Sequence, residues 1–299
     1  MCLVDSLLDY AHSLTPEIPC VTNSALLPPP ERESSRSDSA PPPRWGVSIQ
    51  DFHDLTVVCP DNYTTAPSSR PDGSWESENV MVQAAVGHIR ASAVDGCLVL
   101  QQFRTSFGLP DILELQYDED RLRSRMQSVA EERSGITKDS ARLVHLVSSR
   151  GVVTEQIASR ELGFSFKRLT SAITALIERG LVLDCEGDLL FSEREEGFFL
   201  TSIIVYEAKL KDWAKGLAQA QRHLWFAQES LVLLPQFSER VGSRLIPACE
   251  TAGVGIATVD DKELKKVASQ KMSPAPRNWL TWYLNEIVLD VKAREPNAF

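Results

Sequence analysis

Glu207 and Lys209 close the apolar run in "SIIVYEAKLKDW" with a carboxylate and an ammonium two residues apart. A strand repeats its side chains every second residue. Ile203, Val205, Glu207 and Lys209 therefore project from one face, and Ile204, Tyr206, Ala208 and Leu210 from the other. The apolar flanks fit a covered strand, where a charge without a partner is costly or titrates to neutrality. Two readings follow: a frayed edge strand with an exposed ion pair, or a site that needs both charges. "FGLPDILEL" adds a second acid, Asp111, directly after Pro110 at the head of another apolar strand. With Glu207 and the backbone carbonyl of Ala208, Asp111 offers hard oxygen donors for half a shell around magnesium, leaving sites for water and phosphate. Lys209 beside that shell can hold or help deprotonate an attacking water and offset charge growing on a scissile phosphate.

Such a site needs a scaffold, and the chain has the length for one. Its 299 residues, 43% of them hydrophobic, suffice for two ordinary domains with cores. A formal net charge of −10 excludes a broadly basic nucleic-acid coat, so any DNA contact has to be local. Cysteines at 2, 20, 59, 97, 185 and 249 lack C-x-x-C spacing, which argues against a disulfide framework or a zinc site and fits a reducing cytoplasm. Asp5 and Asp9 interrupt the opening segment where a signal peptide would be apolar, and no run reaches the ~18 apolar residues of a membrane span. The expectation is a soluble, cytoplasmic protein with no membrane partner.

Residues 1–73 read as a largely disordered Pro/Ser-rich arm, with a short helix over residues 1 to 14 and a local apolar contact around Leu55. Order begins with "SWESENVMVQAAVGHIRAS", a helix with Ser74 as candidate cap, followed by the strands "GCLVLQQF" and "DILELQY" as a hairpin. Residues 118 to 133 read as a charged connector. Residues 138 to 192 then resemble a winged helix: one helix closed by Gly151, a second capped by Thr154, a third from Ser165 to Gly180, and a hairpin around Glu186 and Gly187. Lys167, Arg168, Ser171 and Thr174 lie along that third helix and form a candidate groove-reading face. Asp184, Glu186 and Asp188 on the wing would repel phosphates, so DNA contact, protein contact and homodimerisation all stay open. The last third alternates strand and helix and ends in "NWLTWYLNEIVLDVK", an amphipathic helix expected to pack back on the body.

"PD" at Pro110–Asp111 and "E-x-K" at Glu207, Ala208 and Lys209 resemble the PD-(D/E)XK, or restriction-endonuclease-like, nuclease superfamily. The resemblance covers about residues 75 to 118 and 200 to 260. It implies an α/β fold with a mixed sheet flanked by helices, here interrupted by the winged-helix segment. The divisions are 74–133 for the first part of the core, 134–197 for the insertion and 198–299 for the second part. It further implies a metal site completed by Glu78 on the first helix, where a first-turn acid favoured by the helix dipole is the other reading. Gln219, followed by His223 rather than the tyrosine of the family's Q-x-x-x-Y pattern, is a candidate for touching a metal-bound water or the nucleic-acid backbone, or simply a polar helix residue. The expected activity is hydrolysis of phosphodiester bonds in DNA, with RNA open, using Mg2+ or Mn2+ in its place. The alternatives are a non-catalytic DNA-binding or regulatory protein, or a protein-interaction scaffold.

Overall fold

The computed structural model describes residues 68–70, 74–92, 96–129, 134–192, 197–269 and 278–294. The expected N-terminal arm, with its short helix and the contact around Leu55, lies outside the described residues except for 68–70. All described residues belong to one compact unit, residues 47–299.

Helix α1 (Glu78–Ser92) runs one turn shorter than its sequence signal, because Ser77 rather than Ser74 takes the cap: Val80 N donates to Ser77 Oγ at 3.2 Å. Strands β1 (Cys97–Gln101) and β2 (Ile112–Tyr117) form the expected hairpin. The charged connector holds an unexpected helix, α2 (Glu119–Ser128), capped by Asp118. A helical unit follows, built from α3 (Lys138–Arg150), α4 (Glu155–Leu162) and α5 (Phe166–Glu178). Strands β3 (Val152–Thr154), β4 (Val182–Cys185) and β5 (Asp188–Phe191) form its antiparallel sheet in the order β3-β5-β4. Three helices and a hairpin are present as read; β3 is an additional strand.

The chain then returns through β6 (Leu200–Ala208), α6 (Trp213–His223), β7 (Glu229–Leu234), α7 (Glu239–Ala252), β8 (Gly255–Val259), β9 (Leu264–Ala268) and α8 (Trp279–Arg294). The main sheet is mixed and six-stranded, in the order β1-β2-β6-β7-β8-β9. Pairs β6/β7 and β7/β8 are parallel and the others antiparallel. The fold is thus α/β. β9 was not foreseen: it is an edge strand with exposed Lys265 and Lys266, a composition that discourages further pairing.

The period-two alternation sorts the sheet's side chains as expected. Val99, Ile112, Ile204, Tyr206, Leu231 and Leu233 pack with α1 on one face. Ile203 and Val205 enter the opposite core with α3 and α8, while Val232 and Leu234 meet α6 and α7. The segment between β2 and β6 leaves and re-enters at adjacent strands, closed by Asp118 N donating to Phe199 O at 2.9 Å. It shares one continuous apolar core with the sheet.

Helix α8 explains that continuity and departs from the amphipathic reading. It is enclosed on all sides, with Asn285 and Glu286 at 0% exposure and Lys292 at 1%. Its polar residues face partners from distant parts of the chain. Arg179 donates to Glu286 at 2.6 Å and to Asp290 at 2.7 Å, and Arg125 lies 3.5 Å from Glu286. Asn285 accepts from Phe199 N at 2.9 Å and donates to Gly197 O at 3.1 Å, fixing the start of β6.

Candidate active site

β6 is the third of six strands and is hydrogen-bonded on both sides, which removes the frayed-edge reading of Glu207 and Lys209. The antiparallel register pairs Ile112 with Tyr206. One step further along each strand brings Asp111 opposite Glu207, so strand pairing closes a sequence separation of 96 residues. Ala208 N donates to Asp111 Oδ2 at 2.8 Å and secures that junction. From the start of α1, Glu78 Oε1 accepts from Leu210 N at 3.2 Å.

Lys209 stands at the centre of the oxygens. Its Nζ donates to Glu207 Oε1 at 3.0 Å and to the Ala208 carbonyl at 2.6 Å, and lies 3.9 Å from both Asp111 Oδ2 and Glu78 Oε2. Glu207 is 1% exposed, while the Glu78 side chain is 48% exposed, so the cluster runs from the core to solvent. Burial, together with the charge of Glu207, raises the Asp111 carboxyl from its ordinary 3.8 to about 6, despite the opposing hydrogen bond from Ala208 and the charge of Lys209. Three carboxylates and one ammonium leave an excess of negative charge that a cation would relieve.

Helix α6 covers this cluster. A Cβ at Gly216 would come within 2.8 Å of Lys209 Cγ, so glycine permits the close approach. His223, seven residues on, is 1% exposed and places Nε2 3.4 Å from Glu207 Oε2. Gln219 lies on the same helical stripe between them, and its buried Oε1 has no hydrogen-bond partner among the described residues. On the far side of His223, Gly108 in the β1–β2 loop leaves only 3.0 Å between a would-be Cβ and His223 Cε1. His223 stands where the family pattern has tyrosine, and its contact with Glu207 is hidden in the sequence because only the fold brings α6 over the end of β6.

All four ionic positions read from sequence, Glu78, Asp111, Glu207 and Lys209, meet in one cluster. The donor set, three carboxylates and the Ala208 carbonyl, is the hard-oxygen chemistry suited to Mg2+. As these groups stand, the ammonium lies among the oxygens, and no group of three or more His, Cys, Asp or Glu among the described residues is arranged to hold a metal ion.

The proposed DNA-reading residues are a separate surface. Lys167, Arg168, Ser171 and Thr174 are all exposed on α5. Arg168 is engaged by Asp139 at 2.6 and 2.8 Å and lies 4.7 Å from the Phe164 ring centroid. No protein-family model matches the chain, and no significant similarity to a curated protein or a solved structure was found. No described helix is long and apolar enough to cross a membrane.

Proposed function

We propose that this chain is a metal-dependent phosphodiesterase of the PD-(D/E)XK kind that cleaves nucleic acid, with DNA as the favoured substrate. One observation carries the reading: Glu78, Asp111, Glu207 and Lys209, drawn from separate stretches of the chain, converge on one partly open sheet end. The order helix, strand, strand, E-x-K strand, helix, strand agrees with the fold that the resemblance implies. The donor set fits magnesium, which Asp111, Glu207, Glu78 and the Ala208 carbonyl would hold. When bound, magnesium would polarise a phosphoryl oxygen and acidify a water.

The chain's own groups have distinct roles in this reading. Asp111 and Glu207 bind as carboxylates, and Glu78, the most exposed of the three, admits substrate to the open side. Lys209 has to release the carboxylates on which it now rests and turn its ammonium toward the attacking water and the phosphate, where it orients the one and offsets charge on the other. His223 positions Glu207 from behind. Gln219, with an unsatisfied acceptor over the same strand end, orients a water. The α3–α5 unit, read as a winged helix, positions substrate through Lys167, Arg168, Ser171 and Thr174 without performing chemistry.

A second reading, a protein-interaction or regulatory module, draws support from α5 itself. Phe166 is 78% exposed beside Lys167, and the Arg168 charge is already engaged by Asp139. The deciding assay incubates plasmid, linear DNA and RNA with Mg2+ or Mn2+. Cleavage lost in Asp111→Ala and in Lys209→Ala is the expected result. Cleavage unchanged in both would remove the assignment, and none on any substrate would favour the second reading.

A further inference from the structure

From the proposed catalytic cluster a chain of aromatic rings leads out to solvent. His223, against Glu207, meets Phe226 edge-on with centroids 5.9 Å apart. Phe226 stacks with Phe107 at 5.9 Å, and Phe107 lies under Trp225 at 6.4 Å with only 9° between the ring planes. Trp225 ends this series with 70% of its surface exposed. Leaving so large an apolar ring in water has no packing benefit, whereas Phe226 directly after it is fully buried. The indole and Phe107 form one wall of an open groove of about 430 Å³, completed by Ser106, Gly108 and Arg222. That is the size range of a small-ligand cleft.

The charges beside it select the occupant. Arg222 lines the groove itself, and Lys215, seven residues earlier on α6, is a second exposed cation on the same side of the helix. The same helix meets the catalytic cluster through Gly216, whose missing Cβ lets it abut Lys209, and meets the groove through Arg222. In a chain of formal net charge −10, a flat exposed ring flanked by cations matches the pairing of a base face with a phosphate. The cluster itself presents carboxylates and an ammonium rather than an aromatic face for a base. An adjacent platform can do so while leaving the phosphate at the cluster.

We propose that Trp225, backed by Phe107 and assisted by Arg222, is a stacking platform for one unpaired nucleobase of the strand being cleaved, so that this protein prefers single-stranded or frayed nucleic acid. The inference rests on the phosphodiesterase reading and adds the class of substrate. Double-stranded DNA keeps its base faces covered and can reach the platform only by unstacking. A single strand presents them at no such cost.

The test measures binding by the full-length protein without divalent cation, so that cleavage cannot contribute. Anisotropy would follow a labelled single-stranded oligonucleotide and a blunt two-strand duplex of equal length. A second single strand carrying 2-aminopurine would report stacking through quenching. Trp225→Ala is expected to weaken single-strand binding about tenfold, within the range of base–aromatic stacking losses, to leave duplex binding unchanged, and to abolish quenching. Trp225→Phe should retain most of both signals, and matched thermal melting would exclude misfolding. Equal single-strand binding by wild type and Trp225→Ala overturns the platform, as does equal loss on both ligands or no binding by wild type. Loss of quenching in Trp225→Ala without any Asp111-dependent cleavage would keep the platform and remove the nuclease reading. Asp111-dependent cleavage with unaltered binding would do the reverse.

Discussion

The charge clusters at α8 and at the end of β6 are built on opposite principles. At α8, Arg125 and Arg179 face Glu286 and Asp290, two cations against two anions, with the Arg179 contacts at 2.6 to 2.9 Å. At the end of β6, three carboxylates share one ammonium, two of the contacts stretch to 3.9 Å, and Asp111 is pushed up to about 6. The first cluster is balanced and sealed between the helical unit and the sheet. The second is anionic and opens to solvent through Glu78. A protein that can balance buried charge at one place and leaves it unbalanced at another has a use for the imbalance, and a divalent cation with a phosphate is the use these oxygens fit.

The largest expected effect separates the clusters by activity. Lys209→Ala or Asp111→Ala should lower cleavage about 10⁴-fold in a single-turnover assay, while Arg179→Met should leave cleavage per folded molecule unchanged. The next separates them by stability. Arg179→Met strands Glu286 and Asp290 in a dry core and should cost about 4 kcal/mol in chemical denaturation. Lys209→Met should also destabilise the cation-free protein, but added Mg2+ should restore part of that loss, because an ion can take the place of the ammonium. No rescue by Mg2+ is expected for Arg179→Met.

A smaller effect follows from Asp111. Its raised pKa means that the folded chain keeps a proton which the unfolded chain releases between pH 3.8 and about 6. Cation-free stability therefore falls as pH rises through that interval and stays lower above it. Asp111→Asn removes the loss, so this variant should be more stable than wild type at pH 7 by up to about 3 kcal/mol without metal, and equal to it below the lower limit. Denaturation at several pH values measures the difference. Gln219→Ala, which deletes an acceptor that only a water or substrate would satisfy, should cost about fivefold in kcat with little change in stability.

The same contrast explains what the sequence disclosed. The β6 cluster was legible because strand periodicity places Glu207 and Lys209 on one face, and an apolar run beginning at Asp111 supplies the matching strand. Neither signal depends on distant partners. The α8 cluster was not legible: the segment reads as an amphipathic helix, and the partners of Glu286 and Asp290, Arg125 and Arg179, come from places far away in sequence. Helix α2 was missed for a related reason, since Leu122 is buried among charges that dominate its composition. The contacts of Gly108 and Gly216 with His223 and Lys209 belong to tertiary packing, which no local pattern encodes.

The most direct measurement is calorimetric titration of Mn2+ into the full-length protein at pH 7.5, with Asp111→Ala, Glu207→Gln and Arg179→Met beside it. An unbalanced cluster built for a cation predicts one site per chain in wild type and Arg179→Met, lost or severely weakened in the other two. Equal Mn2+ binding in all four proteins, or none in wild type, would contradict it.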